Sequence, residues 1–241
     1  MLLIYNTSMI QFYPAKDRYH TDSGPVGKSY FSFSFDEYYD PQNMSFGPMR
    51  VLNDDFAVPG GGVGTHPHRD MEIVSLMLSG GWVHKDSMGN EEVTAAGEIQ
   101  RMTAGAGIYH SEFNVSKTEV SNGFQMWFLP ETRGLKPSYE QVKIDFAKAR
   151  NQWLPVVRRG GGDNVAHIHQ DMTIHLTQLD AGAEIIYTQT PGRRIFLMVI
   201  EGTVQMGEYL LGARDSLRLT GEERVEMKAT AATYVMLIDL P

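Results

Sequence analysis

The chain has 241 residues and a formal charge of −8 at pH 7, with 21 Lys+Arg against 29 Asp+Glu. Without a block of basic residues it offers no footprint for a phosphate backbone or an anionic membrane, so neither is expected as a direct partner. It contains no cysteine, which excludes disulfides, thiolate metal sites and cysteine nucleophiles and leaves nitrogen and oxygen as the donors for any metal.

Met1 to Ile10 show no basic n-region, long apolar h-region or small-residue cleavage pattern. No apolar run approaches the length of a membrane span, and a soluble, cytoplasmic protein is expected. Residues 29–35, Ser-Tyr-Phe-Ser-Phe-Ser-Phe, alternate strictly and read as a strand, with Phe31, Phe33 and Phe35 expected in the core. Residues 73–78 form an apolar run broken by Gly80-Gly81 and resumed at Trp82-Val83-His84. Asp86-Ser87-Met88-Gly89-Asn90 then reads as a hairpin turn. Further strand-like runs span residues 124–129, 172–179, 184–188, 195–200 and 233–238. Helical spacing is confined to residues 138–149, where Tyr139, Val142, Phe146 and Ala149 predict one short helix. Residues 130–137 and 155–164 read as loops, with a boundary between them. The segment Val199-Ile200-Glu201-Gly202-Thr203-Val204 echoes the one running from Leu76 through Gly80-Gly81 to Val83. Many short strands and one echo predict an all-β chain of two related antiparallel barrels.

Side chains two apart on a strand share a face, so His66 and His68 can aim two imidazoles at one point with Pro67 turned away. His110 and Glu112 repeat the arrangement, and two such clamps on neighbouring strands of a narrow barrel would converge inside it. Three neutral imidazoles and a carboxylate suit one divalent ion, Fe, Ni, Zn, Mn, Cu or Co, and leave coordination positions open for substrate or oxygen. Gly60, Gly61, Gly62 and Gly64 precede the first pair, and Gly97, Gly105 and Gly107 the second, permitting tight turns.

These residues carry a family resemblance. Gly60-(five residues)-His66-Pro67-His68-(three residues)-Glu72 resembles the first cupin motif, and Gly97 through His110-Ser111-Glu112-Phe113-Asn114 the second. More narrowly, Thr65-His66-Pro67-His68-Arg69-Asp70-Met71-Glu72 and Ala104-Gly105-Ala106-Gly107-Ile108-Tyr109-His110-Ser111-Glu112 resemble the pirin family. So do the Asp86 to Asn90 turn, residues 29–41, Gln125-Met126-Trp127 and the closing Ile238-Asp239-Leu240-Pro241. The resemblance implies a bicupin of jelly-roll type, two barrels packed face to face, with residues 1–135 forming the metal-binding barrel and 136–241 a barrel without metal. It carries the ligand set to His66, His68, His110 and Glu112, with iron expected first. Thr103 stands where the general second motif has proline, and two extra residues separate Gly105 from His110, as in pirins.

The implied activity is that of a quercetin 2,3-dioxygenase, which opens the central ring of a flavonol with molecular oxygen. Glu112 would serve as general base, with a small aromatic molecule as substrate. The resemblance also implies an alternative, a metal-dependent redox sensor or transcriptional co-regulator acting through a protein partner; a cupin isomerase or lyase is a third reading. A monomer is expected, since one chain already supplies two barrels. Glu72 is expected to be buried or to support a ligand. Gln125 and Trp127 share a strand face and are expected near the cavity. The cluster of His167, His169 and His175 lacks an acidic partner at clamp spacing and is read as structural, and His20 and His84 as satisfied or solvent-facing, with no paired ligand nearby.

Overall fold

The structure is a computed structural model describing residues 9–22 and 26–241; the opening residues read for a leader lie largely outside it. Among the described residues no helix is long and apolar enough to cross a membrane. The strands, in chain order, begin with β1 Met9–Tyr13, β2 Tyr19–Thr21, β3 Gly27–Phe31, β4 Met49–Ala57, β5 Gly62–His68 and β6 Glu72–Ser79. There follow β7 Gly81–Asp86, β8 Glu91–Ala95, β9 Glu98–Thr103, β10 Ile108–Asn114, β11 Ser121–Phe128 and β12 Ser138–Lys143. The remainder are β13 Leu154–Arg158, β14 Ala166–His167, β15 Thr173–Leu179, β16 Glu184–Thr188, β17 Arg194–Glu201, β18 Val204–Met206, β19 Tyr209–Leu211, β20 Ser216–Thr220, β21 Arg224–Ala229 and β22 Thr233–Leu240.

Two compact units emerge, each a cupin-type pair of antiparallel sheets. The N-terminal unit comprises Arg18–Ile144 and Arg158–Gln170. One of its sheets runs β12-β9-β6-β11-β4-β3-β2 and the other β5-β10-β7-β8. The C-terminal unit takes the described residues up to Asp17, with Asp145–Val157 and Asp171–Pro241. There β1-β20-β17-β22-β15-β13 lie in one sheet and β16-β21-β18-β19 form the other.

The echo noted in the sequence is the corner where the chain leaves one sheet for the other. β6 passes through Gly80 into β7, and β17 through Gly202 into β18. Both glycines are left-handed, at φ +69° and +83°, and a Cβ would lie 2.7 Å from Ser121 Cβ at the first and 2.3 Å from Ala232 O at the second. Only glycine meets both demands.

The interiors differ in chemistry. In the C-terminal unit the alternation of Ile195, Leu197 and Val199, of Leu217 and Leu219, and of Val235 and Leu237 packs a continuous apolar core. The N-terminal unit has apolar clusters too, with Ile73, Met102, Ala104 and Ile108 in one and Ala57, Met77 and Trp82 in another. Between them the buried set includes Asn53, Ser75, His84, Gln100, His110 and Glu112. Buried polar groups are expensive unless partnered, so this barrel is built around a site.

Three local expectations change. The strand expected over residues 29–35 ends at Phe31, and the chain bends through 32–34; Phe33 is nevertheless fully buried, while Phe35 is partly exposed. The expected helix over 138–149 is instead the edge strand β12, paired with β9 from Ser138↔Thr103 to Lys143↔Glu98, followed by a 3-10 turn at Phe146–Ala149. A free sheet edge offering a full ladder of hydrogen bonds outweighs a weak helical periodicity. Pro155, placed in a loop from sequence, lies in β13.

Candidate metal centre

Strand β10 is the hinge of the site, pairing with β5 on one side and β7 on the other. His110 lies directly opposite His66 and Ile108 opposite His68, and the register shifts between His110 and Glu112. Alternation along β10 turns His110 and Glu112 inward and Tyr109 and Phe113 out to solvent. The three imidazoles meet as a trio, ring centres 4.8 Å apart for His66–His68, 4.4 Å for His66–His110 and 4.9 Å for His68–His110. Donor atoms from all three lie within 4.8 Å of one another. Glu112 joins through a second trio on the same criterion, His84, His110 and Glu112, so His110 belongs to both.

The hydrogen-bond pattern tests whether these residues fit an ion. His66 Nδ1 lies 2.8 Å from Gly64 O, which only a protonated nitrogen can satisfy, so Nε2 carries its lone pair. His110 Nδ1 lies 3.3 Å from His84 Nδ1. The Nε2 atoms of His68 and His110 are buried and have no partner within the protein. Burial, with His110 and His66 beside it, pushes the His68 imidazole down to about 4. Burial, with His66 and His84, pushes His110 to about 3. Near neutral pH both rings are therefore neutral, the form that binds metals. Orphaned imidazole nitrogens held together in a buried site fit a transition-metal ion.

His84 is satisfied, one of the two states expected for it, but it does have potential ligands nearby. It is fully buried, stands opposite Glu112 across the β7–β10 pairing, and its ring centre is 5.1 Å from that of His110. Its Nε2 is 3.1 Å from Asp86 Oδ2, and its Nδ1 faces Gln100 Nε2 at 3.2 Å. Burial raises Asp86, but hydrogen bonds from Asn90 and His84 outweigh it and leave the carboxyl below its usual range. The signal in sequence was parity, His84 and Asp86 two apart on the strand entering the hairpin.

Gln125 anchors the carboxylate. Its Nε2 donates to Glu112 Oε2 at 2.6 Å, and its Oε1 accepts from Trp127 Nε1 at 3.0 Å. An indole N–H can only donate, so Trp127 fixes which way the amide points. The nearest donor to the other oxygen of Glu112 is the distant Gln100 Nε2, at 3.5 Å. His66, Glu112, Gln125 and Trp127 open onto a cavity of about 600 Å³, walled also by Phe31, Phe35 and Trp82. Asp55 lines it too; burial, opposed by the Ser29 hydroxyl and helped by Asp54 and Glu112, raises its carboxyl to about 7.

Known proteins resemble this chain over most of its length. Residues 15–128 match the family model described as Pirin, and residues 156–240 the model of a quercetinase C-terminal cupin domain. A relative named quercetin 2,3-dioxygenase from Escherichia coli (strain K12) is 38% identical over 233 residues, 97% of this chain and 99% of its own. The chain belongs to the pirin family. The crystal structure of YhhW from Escherichia coli superposes with a TM-score of 0.92 at 38% identity, covering 97% of this pirin and 98% of that chain. The bacterial pirin YhhW in complex with nickel(II) gives 0.91 at 37%, covering 97% and 99%.

The remaining histidines of this pirin stand elsewhere. Glu72 is fully buried and takes hydrogen bonds from Thr103 Oγ1 at 3.1 Å and His169 Nδ1 at 3.2 Å, outside both donor trios. Burial raises it, against Thr103, Arg101 and His169. His169 thus has an acidic partner after all, supplied by a strand some ninety-seven positions earlier. His167 Nδ1 accepts from Gly160 N at 2.9 Å. His175 belongs to the other unit, between Trp153 and Tyr187, and His20 is exposed.

Proposed function

We propose that this pirin is a metal-dependent dioxygenase that opens the central ring of flavonols such as quercetin, its ion held by His66, His68, His110 and Glu112 and iron its expected occupant. The observation that carries the reading is the meeting of the His66, His68 and His110 imidazoles, with Glu112 joined to them through His110, at the wall of an aromatic-lined cavity. The Escherichia coli relative's name points the same way.

The bound ion would supply Lewis acidity toward the adjacent hydroxyl and keto oxygens of a flavonol and open positions for oxygen. The protein's part is proton handling and exclusion of water. Glu112 accepts the substrate hydroxyl proton at Oε1, the oxygen less engaged by donors, while Gln125 keeps Oε2 in place. Trp127 packs edge-on to His68 at 4.8 Å and to Phe35 at 5.4 Å, closing the cavity over the imidazoles with apolar surface. Protein loaded separately with Fe, Ni, Mn, Cu and Co, mixed with quercetin in air, should bleach the flavonol absorbance with at least one ion. Failure with every ion removes the proposal.

One observation favours the second reading, a redox sensor acting through a protein partner. The outer face of the sheet that carries the clamps leaves Tyr109, Phe113 and Val93 exposed, and exposed apolar surface of this kind marks contact faces. A partner captured in one metal oxidation state and released in the other, with no flavonol turnover, would select it.

A further inference from the structure

The register of the N-terminal unit lays a row of side chains across its larger sheet: Gln100 opposite Ser75, Ser75 opposite Gln125, Gln125 opposite Asn53, and Asn53 opposite Phe31. Strand pairing puts all of them on one face. Gln125 is occupied with Glu112 and Trp127. Asn53 is 4% exposed, lines the cavity, and its Oδ1 is buried without a hydrogen-bond partner. A buried amide oxygen left alone costs about 1–3 kcal/mol, and no step of the mechanism above uses it. Two residues along the same strand and facing the same cavity stands Asp55, whose Oδ1 accepts from Ser29 Oγ at 2.6 Å.

We propose that Asn53 and Asp55 form a hydroxyl-recognising subsite in the cavity, so that the preferred substrate is a planar aromatic molecule bearing hydroxyl donors on the ring remote from the metal-binding oxygens. The inference rests on the dioxygenase reading for the near end of that substrate and deepens it at the far end. Directly paired residues hold their Cβ atoms about 5 Å apart, and a two-residue step adds about 7 Å along the strand, so Asp55 lies roughly 8 Å from Gln125. A molecule engaged at both ends must be longer than one benzene ring. Phe31, Phe35, Trp82 and Trp127 supply flat apolar walls between. The amide oxygen of Asn53 accepts, and Asp55 accepts once ionised, so the complementary ligand donates; a carboxylated or phosphorylated ring would meet the ionised Asp55 with like charge.

The test compares quercetin, hydroxylated on its pendant ring, with the flavonol whose pendant ring is unsubstituted, by equilibrium quenching of tryptophan fluorescence in metal-loaded protein. Trp82 and Trp127 line the cavity and report binding without turnover. Wild type should bind quercetin about tenfold more tightly or better, because a site built to pair a hydroxyl rejects the analogue lacking it. Asn53→Leu should bring the two dissociation constants within about twofold while metal content stays at the wild-type level. Asp55→Ala should narrow the same ratio and carries the test if Asn53→Leu does not fold. Equal binding of both flavonols by wild type, or an undiminished preference in the folded variants, overturns the subsite. Preferential binding without turnover under any metal would instead overturn the dioxygenase reading and leave the subsite standing.

Discussion

Replacing Gln125 by leucine probes the support of the proposed ligand set without touching a ligand. The substitution removes the 2.6 Å donor to Glu112 Oε2 and leaves that carboxylate, 6% exposed, with Gln100 at 3.5 Å as its nearest recorded donor. It also strips Trp127 Nε1 of its acceptor. A hydrogen bond to a buried charged group is worth about 1.5–3 kcal/mol. At 1.4 kcal/mol per decade, a carboxylate freed to swing loses about ten- to a hundredfold in metal affinity, the range seen when partners of a metal's ligands are removed. The assay is competition for nickel(II) against a chelator of known affinity, with far-ultraviolet circular dichroism to confirm the β fold. Gln125→Glu, which removes the amide donor and adds a like charge beside Glu112, should bind no better than the leucine variant. If Gln125→Leu holds nickel within twofold of wild type, Glu112 does not depend on this anchor and its assignment as a ligand fails.

Three further outcomes follow from the same geometry. His68→Ala and His110→Ala should each abolish stoichiometric metal by elemental analysis with the β spectrum intact, whereas His169→Ala, whose ring bonds Glu72, should retain it. Gly62→Ala should lower both thermal stability and metal content, since its Cβ would lie 2.1 Å from Glu112 O and push β5 off β10; a cost of about 1–3 kcal/mol is typical of such overpacking, and wild-type behaviour in both would contradict the register. Burial holds His175 down at about 4, against an ordinary value near 6.5, with Asp239 opposing. The unfolded chain therefore takes up that proton first: stability is complete above about pH 6.5, declines as pH falls, and has lost at most about 3 kcal/mol below pH 4. His175→Phe should flatten urea midpoints between pH 6.5 and 4, and an unchanged slope would count against a buried neutral ring.

The clamps were legible because strand parity is local: His66 with His68, and His110 with Glu112, need no knowledge of pairing to share a face. The all-β class was legible in short runs rich in β-branched and aromatic residues, such as 184–188 and 195–200, the second an unbroken apolar run buried on both faces of its sheet. What parity cannot supply is register. Only the pairing of β10 with β7 sets Glu112 opposite His84, and only the return of residues 158–170 to the N-terminal unit brings His169 to Glu72. Tyr139 and Val142 misled because an edge strand exposed on one side can carry a helix-like pattern by chance. Its conformation is set by the open edge of β9, which lies far away in sequence.

The two donor trios that share His110 are not equivalent, and proton counting separates them. His84 gives Nε2–H to Asp86, so Nδ1 is its one acceptor, and that atom already faces Gln100 Nε2 and His110 Nδ1. Ligation there would displace both donors inside a buried site, at about 1–3 kcal/mol for each group stranded. At the other trio the accounting reverses. His66 has its Nδ1 proton committed to Gly64 O. His110 can commit its own to His84, which leaves Nε2 with a lone pair and nothing in the protein to receive it; His68 Nε2 is stranded in the same way. An ion bound by these Nε2 atoms breaks no hydrogen bond and removes two buried deficits. The chain Asp86–His84–His110 is then the device that fixes the His110 tautomer, as carboxylates commonly do for metal-bound histidine. On the proposed ligand set, that position behind the ring is why a fully buried histidine with a carboxylate partner stands beside the trio of His66, His68 and His110 instead of joining it.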